Sequence, residues 1–242
     1  MVDIGEAITY HLRVPTPLLM SWVTVLILVG LSFAATRRLE TVPHGLQAVF
    51  ELAFGFIFGI VDDTVGPDGR RLYPLFLGLF LFILVGNLIG LVPGLSSPTA
   101  NLNTTAALAL IVFSTIHVLG IRKRGVLGYL KHMTAGVPWW LKPLMFIIEV
   151  IGELARPLSL SFRLFGNIMA KEVLLGILAF LVLYLYHAGG VIDTTLTIVP
   201  LLLRPLIILL GVLVSFLQAY IFAMLSIAYI GSALKVHSEG SH

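Results

Sequence analysis

Long uncharged segments alternate with short charged ones along the 242 residues of this chain. Several of the uncharged segments approach or exceed the ~20 residues with which an α-helix crosses the hydrocarbon core of a bilayer. A helix also satisfies its own backbone hydrogen bonds, which the bilayer interior requires. The pattern therefore predicts an all-α membrane protein that forms a single membrane domain over residues 1–242, with about five membrane-embedded helices and one interfacial amphipathic helix.

Charges and turn signals divide the chain into five parts. The first apolar helix ends before Arg37-Arg38, and a turn signal at 92–99 splits one long uncharged block into a helical hairpin. The last two helical segments are longer than a perpendicular crossing requires, so we expect both to be tilted. The parts are an outer N-terminus with the first helix (1–36), an amphipathic helix (44–63), the hairpin (72–121) and two long helices near the C-terminus (141–186 and 196–234).

The segment 44–63 differs from the others because polar and small residues occupy one helical face. Gln47, Glu51 and Asp62 lie on that face, and phenylalanines fill much of the remainder. We place this helix along the membrane interface. If it does not cross, most basic residues of the loops face one side, which the positive-inside rule makes cytoplasmic. The N-terminus is then outside and the C-terminus cytoplasmic.

Composition narrows the classes of function. The chain is 58% hydrophobic and only 11% charged, and its net charge of +3 comes from basic residues beside the apolar segments, which indicates membrane topology rather than nucleic-acid binding. It has no cysteine, no HxxH or HExxH spacing and no phosphate loop. We therefore expect membrane lipid as its surroundings, and no cofactor, metal or nucleic-acid partner.

Arg163 lies within the long helical segment 141–186. Its guanidinium keeps its proton, so placing it at the centre of a spanning helix costs at least ~2.5–3.5 kcal/mol. Charged residues inside membranes are functional by default, although Arg163 could instead be a structural partner of Glu149 or Glu153 on its own helix. We expect it to take part in function.

Other polar residues share a helical face with Arg163. Glu149, Glu153 and Asn167 recur at intervals near multiples of 3.6 residues, whereas Glu172, nine residues after Arg163, faces the opposite way. One cation thus stands between carboxylates on two sides, which for proton conduction predicts two half-pathways rather than a continuous pore. Gln218 on the last helix could hold the guanidinium if it lies opposite Arg163 or Asn167.

Simpler interpretations stay open for several of these residues. Glu149 and Glu153 could be solvated near the cytoplasmic end, or pair with Arg156, three residues after Glu153. Asn167 and Gln218 could serve only as hydrogen bonds between helices. Lys171 is more easily explained as a snorkelling side chain than as a direct participant.

The motifs around Arg163 and Gln218 resemble those of a known family. The run Arg-Pro-Leu-Ser-Leu-Ser-Phe-Arg-Leu-Phe-Gly-Asn at 156–167, with Glu172 after it and Leu-Gln-Ala at 217–219, is similar to subunit a of the F-type ATP synthase, of bacterial type. The resemblance extends over most of the chain, since Gly-Leu-Val-Pro-Gly at 90–94, Asn-Leu-Asn-Thr-Thr at 101–105 and Glu149 match in order.

This resemblance implies a stator subunit of the rotary membrane sector, located in the bacterial inner membrane, with the c-ring and the peripheral-stalk b subunits as partners. It implies that Arg163 attracts the ring carboxylate and blocks direct passage of protons between two offset half-channels. Asn167, Glu172 and Gln218 match half-channel and arginine-positioning groups, and Glu149 matches a carboxylate of the cytoplasmic half-channel. The chain itself would not be an enzyme, because ATP synthesis belongs to other subunits.

Two departures from the family pattern concern the outer half-channel. Gly211 stands seven residues before Gln218, where some relatives carry a titratable group, and Asn101 stands where some have an acidic residue. Any partner of Glu172 must then come from elsewhere. We expect the outer pathway to use water, Asn101, Asn103 or His187.

A secondary ion-coupled transporter with a substrate site at the polar face is the main alternative. It predicts internal repeats and paired broken helices, and the sequence shows no convincing repeat. An intramembrane hydrolase would need a nucleophile and a base, and neither Ser159 nor Ser161 has a histidine close in sequence.

Overall fold

The structure is a computed structural model that describes residues 15–37, 39–92, 94–133, 138–188 and 198–234, apart from the side chains of 124, 130–133, 186 and 188. Within these ranges all regular structure is helical, which confirms the predicted fold class. The helices are α1 (Thr16–Thr36), α2 (Leu46–Thr64), α3 (Tyr73–Ile89), α4 (Leu102–Met133), α5 (Lys142–Ala188) and α6 (Ile198–Leu234), with short 3-10 helices at Pro67–Leu72 and Pro98–Ala100.

In the described part of the chain, five helices are long and apolar enough to cross a membrane. They are α1, α3, α4 up to Lys123, α5 and α6. Helices α5 and α6 contain 47 and 37 residues, or about 70 and 55 Å at ~1.5 Å per residue. Both exceed the ~30 Å hydrocarbon core, as the sequence predicts for the two C-terminal helices. Their tilt, and the interfacial position of α2, stay predictions.

Helix α4 continues past residue 121, where the predicted hairpin ends, and is broken at Gly125. The backbone of Gly125 has φ 70° and ψ 163°, a conformation that glycine adopts without steric cost. Beyond the break, Tyr129 lies against Gly120, so that a Cβ at Gly120 would be 2.6 Å from Tyr129 Cε2. A continuous helix would hold these two residues about 14 Å apart along its axis. The chain therefore turns back at Gly125.

The described residues group into two compact units, each assembled from separate parts of the chain. Unit 1 takes residues from 1–31, 81–104 and 163–220, and unit 2 takes residues from 32–80, 105–162 and 221–242. Each unit has its own buried apolar residues. These include Ile83, Leu164 and Ile168 in unit 1, and Ile57, Val61, Phe76, Phe222 and Ile227 in unit 2. The single membrane domain over 1–242 stays a prediction.

In unit 2, polar and aromatic contacts join the end of α2 to the start of α3. Phe58 stacks on Tyr73 with ring centroids 3.9 Å apart. The Tyr73 hydroxyl donates to Asp62 Oδ1 at 2.6 Å, and Arg70 Nε donates to the same oxygen at 3.2 Å. The hydrogen bond from Tyr73 and the adjacent charge of Arg70 hold the pKa of the Asp62 carboxyl below its ordinary value. The carboxylate therefore stays ionised at neutral pH.

Candidate functional site

Arg163 lies on α5 in unit 1, and its side chain is exposed. The neighbouring Leu164 and Ile168 are fully buried, so Arg163 belongs to the outward face of the helix. It makes no hydrogen bond or ion pair with any described residue, and Glu153 pairs with Arg156 instead. Within the described chain, the structural pairing of Arg163 with a glutamate of its own helix is therefore absent.

Asn167 and Gln218 are joined directly. Asn167 Nδ2 donates to Gln218 Oε1 at 2.8 Å, so Gln218 lies opposite Asn167 rather than Arg163. The Gln218 side chain is only 2% exposed, and its Nε2 is buried without a partner among the described residues. Asn167 follows Arg163 by one helical turn and lies on the same face of the helix. The bond from Gln218 therefore holds the Asn167 amide next to the position of Arg163.

The carboxyl group of Glu172 is hydrogen-bonded to the turn of the hairpin. Its Oε1 accepts a hydrogen bond from the backbone N–H of Ser97 at 2.7 Å, at the short end of the range for N–H donors. Gly90 makes this approach possible, since a Cβ there would lie 2.8 Å from Ser97 Cβ and 3.1 Å from Glu172 Oε1. The partner that the sequence left open is thus a main-chain amide of unit 1.

Buried hydroxyl and amide groups continue from this turn into α3. Ser97 Oγ donates to the carbonyl of Gly86 at 3.0 Å and lies 2.7 Å from Thr99 Oγ1. The Thr99 hydroxyl donates to Oδ1 of Asn87, whose side chain is fully buried and whose Nδ2 has no partner among the described residues. Unit 1 therefore contains a connected polar group next to Glu172.

The side chain of Lys171 is buried within unit 1, so the interpretation of Lys171 as a snorkelling side chain is wrong. The residue is 8% exposed, and Nζ donates to the carbonyl of Asn87 at 3.0 Å. Gly211 provides the space, because a Cβ there would lie 2.6 Å from Leu91 Cδ2 and 3.3 Å from Lys171 Cδ. The position where some relatives carry a titratable group is therefore filled by the side chains of Leu91 and Lys171.

We expect Gly90→Ala to destabilise the protein by about 1–3 kcal/mol, because the added methyl group overpacks the contact between Ser97 and Glu172. Gly78→Ala, within α3, which ends just before Gly90, is the control. A Cβ at Gly78 meets nothing within 4 Å, so we expect a neutral or slightly stabilising effect. Thermal unfolding of the purified complex measures both variants, and equal midpoints would contradict the packing described here.

The other residues considered for the outer pathway are Asn101, Asn103 and His187. Asn101 Oδ1 accepts from the backbone N–H of Asn103 at 2.9 Å, which makes Asn101 the N-cap of α4. Asn103 is exposed. His187 is also exposed and lies on α5, which continues to Ala188, with Nδ1 2.8 Å from the carbonyl of Leu183. Most of the predicted connection after His187 lies outside the described residues. A role of Asn101, Asn103 or His187 in ion transfer stays a prediction.

In unit 2, Glu153 Oε1 accepts a hydrogen bond from Arg156 Nη1 at 2.8 Å. This confirms the pairing at i+3 that the sequence left open. The carboxylate side chain is 12% exposed and the guanidinium side chain 34%. Arg156 Cζ also lies 5.4 Å from the ring centroid of Tyr229 on α6. Glu149, one turn earlier, is half-buried and makes no hydrogen bond with a described residue.

Sequence reasoning missed Asn87, Ser97 and Thr99 as parts of the polar group, and Tyr229 as the partner of Arg156. Two signals were present. Asn87 is a lone amide in the apolar run 72–92, and polar residues within spans usually face the protein interior. Ser97 and Thr99 flank Pro98 in a turn between two spanning helices, where buried backbone groups need polar partners.

Comparisons with known proteins agree with the motifs around Arg163 and Gln218. The model of the family described as ATP synthase A chain matches residues 18–231. ATP synthase subunit a 1 of Syntrophotalea carbinolica is 46% identical over 215 residues, which cover 89% of this chain and 84% of the relative. ATP synthase subunit a of Geobacter sulfurreducens is 45% identical over 215 residues, covering 89% and 86%. The chain belongs to the family of bacterial ATP synthase subunit a.

Proposed function

We propose that this chain is the stator subunit of the rotary ATP synthase membrane sector, which leads protons through two offset half-channels to the c-ring and couples their passage to rotation. One observation carries the proposal. Arg163 is a permanent cation on the exposed face of a membrane helix, without a hydrogen bond or ion pair in the described chain. Such a charge is costly in lipid, so it requires an anionic partner from another subunit.

A carboxylate on a rotating ring provides that partner. While it faces lipid the carboxyl group is neutral, because a bare charge there is unfavourable, and it ionises beside a fixed cation or an aqueous path. Arg163 makes ionisation locally favourable. The bond between Asn167 and Gln218 keeps a polar amide one turn from Arg163. We expect this amide to orient the guanidinium when a carboxylate arrives.

The polar group of Glu172, Ser97, Thr99 and Asn87 serves the outer half-channel, and Glu149 with Glu153 serves the cytoplasmic one. Arg163 repels a proton that would pass directly between them, so each proton travels with the ring. The membrane potential contributes about 2.3 kcal/mol per charge per 100 mV to this movement.

The proposed partners follow from this role. They are the c-ring, the peripheral-stalk b subunits and membrane lipid, and the chemistry of ATP belongs to other subunits. The related proteins are bacterial, and the five apolar helices indicate a multi-pass membrane protein. We propose the bacterial inner membrane, with the N-terminus outside and the C-terminus in the cytoplasm.

Cysteine cross-linking tests the contact with the ring, and the chain offers a clean background because it contains no cysteine. We expect Ala170→Cys, at an exposed position one turn after Asn167, to cross-link to a cysteine next to the ring carboxylate. Ile168→Cys, whose position is fully buried, should not react and is the matched control. If neither Ala170→Cys nor the exposed Gly166→Cys cross-links in the assembled complex, the transporter alternative is favoured.

A further inference from the structure

Three of the apolar segments that could cross a membrane have an end at the same place in unit 2. These ends are the start of Pro67–Ile89 and the last residues of Leu102–Lys123 and Ile198–Leu234. Lys123 joins them, because its Nζ donates to the carbonyl of Leu234 at 2.6 Å and to Asp68 Oδ2 at 3.1 Å. Since spans begin and end where the hydrocarbon core meets water, this place lies at the level of the lipid headgroups.

A cavity of about 340 Å³ lies among these three ends. Its volume is within the ~300–1,000 Å³ of sites that bind small molecules. The wall combines charged and apolar groups from all three segments, namely Asp68, Arg71, Leu72, Leu119, Lys123 and Leu234. A ligand in this cavity therefore meets both a polar and an apolar surface.

The 3-10 helix Pro67–Leu72 carries two adjacent arginines that differ in their contacts. Arg70 Nε donates to Asp62 Oδ1 at 3.2 Å, and Arg70 does not line the cavity. Arg71 is exposed, lines the cavity, and makes no hydrogen bond or ion pair with any described residue. Its guanidinium is thus a cation at the cavity wall without a counter-ion in the described chain.

The charges around the cavity suit an anion. Lys123 is paired with Asp68, which leaves the positive charge of Arg71 uncompensated. The Lys123 ammonium group has three donors, and its bonds to Asp68 and Leu234 use two of them. Arginine presents a planar fork of donors that matches the oxygens of a phosphate group. Arg71 and Lys123 can therefore bind one phosphate together.

The apolar part of the wall lies toward the bilayer core. Leu119 precedes Lys123 by one turn on the same face of α4, and Leu72 leads from Arg71 into α3. A phospholipid presents its groups in the same order, with the phosphate at the membrane boundary and the acyl chains below it. Basic pockets between membrane helices are places where anionic headgroups bind. A free anion would leave the apolar wall unused.

We propose that this cavity binds the headgroup of an anionic phospholipid. Arg71 and Lys123 contact its phosphate, and Leu72 and Leu119 pack against the first carbons of an acyl chain. The bound lipid gives Arg71 its counter-ion and joins the start of α3 to the end of α4. This site involves no proton transfer, so it goes beyond the proposed function and does not rest on it.

Photolabelling tests the site in the assembled complex. The complex is reconstituted in phosphatidylcholine vesicles that contain a phosphatidylglycerol with a diazirine in its acyl chain, next to the glycerol. After irradiation, we expect mass spectrometry to find the label on the segments that contain Leu72 and Leu119. Arg71→Gln should lower this labelling by about tenfold or more, because it removes a charged hydrogen-bond donor. Arg71→Lys should retain most of it.

Two matched controls separate the cavity from its surroundings. Arg122→Gln removes an equal charge beside Lys123, from an exposed residue that does not line the cavity, and should not change the labelling. Leu119→Phe narrows the cavity and should lower the labelling at Leu72. Val118→Phe places the same ring at an exposed neighbouring position outside the cavity and should have no effect.

Equal labelling of the Arg71→Gln and unmodified complexes would overturn the proposal. A diazirine phosphatidylcholine that labels equally well would show no selection for an anionic headgroup. Loss of the label on addition of inorganic phosphate would assign the cavity to a free anion, and no label at all would show that another subunit covers it. Failure of the stator role is distinguishable, because Arg163→Ala would then still pump while the labelling still depends on Arg71.

Discussion

Arg163→Ala abolishes ATP-driven proton pumping by the complex and raises its passive proton leak. We expect this result because, in the proposed stator role, alanine removes both the fixed cation that attracts the ring carboxylate and the charge that repels protons between the half-channels. Arg163 has no hydrogen bond or ion pair in the described chain, so its loss should leave the packing of unit 1 intact. Assembly should therefore be normal while coupling is lost.

Acidification of inverted vesicles on ATP addition measures pumping, and the decay of an imposed pH gradient measures leak. Arg37→Ala is the matched control, because it removes an equal charge from an exposed position after α1. Arg163→Lys keeps the charge but loses the planar fork of donors, so we expect little pumping and less leak than with alanine. Coupled pumping by Arg163→Ala would disprove the proposed role.

Glu172→Gln lowers pumping by roughly one hundredfold without increasing leak, which is the second large effect we expect. Glutamine has the same shape, and its side-chain oxygen can still accept from the N–H of Ser97. It cannot exchange a proton with the outer pathway. The variant therefore separates proton transfer at Glu172 from its structural contact with the hairpin turn.

ATP synthesis driven by an imposed proton gradient measures this effect, together with ATP-driven pumping. Glu172→Asp retains a carboxylate on a shorter side chain and should give an intermediate rate. Glu40→Gln removes a carboxylate from an exposed position and should not change the rate. If Glu172→Gln pumps at more than half the normal rate, Glu172 is not a proton-transfer group of the outer half-channel.

The helices were predictable from the sequence because the property that determines each of them lies within its own segment. A bilayer requires every backbone group of a span to be satisfied within the segment, so apolar length alone indicates a helix. Helix α2, predicted at 44–63, is observed at Leu46–Thr64. The far end of α4 was not predictable in this way. The basic run at 122–124 marks the end of the apolar span, but charged residues outside a bilayer still form helix, up to the break at Gly125 and again from there to Met133.

Contacts between distant parts of the chain were only partly predictable. Helical periodicity places Asn167 one turn after Arg163 on the same face, and the amide of Gln218 was a natural partner. Lys171 was misjudged because snorkelling depends on whether the side chain finds a buried partner, and its Nζ donates to the carbonyl of Asn87. A Cβ at residue 211, 40 positions away, would lie 3.3 Å from Lys171 Cδ, and the glycine at that position leaves room for the lysine side chain. The bond from Ser97 to Glu172 spans 75 positions, and no local pattern reports it.

The interleaved composition of the two units has a consequence for biogenesis. Helix α6 supplies residues up to 220 to unit 1 and the residues that follow to unit 2, so neither unit is complete until the final helix has been synthesised. Before that moment, Lys171 and Glu153 lack some of their neighbours and expose charge within a nascent membrane protein. We expect chains truncated before α6 to be degraded by membrane quality control, rather than to persist as half-assembled subunits.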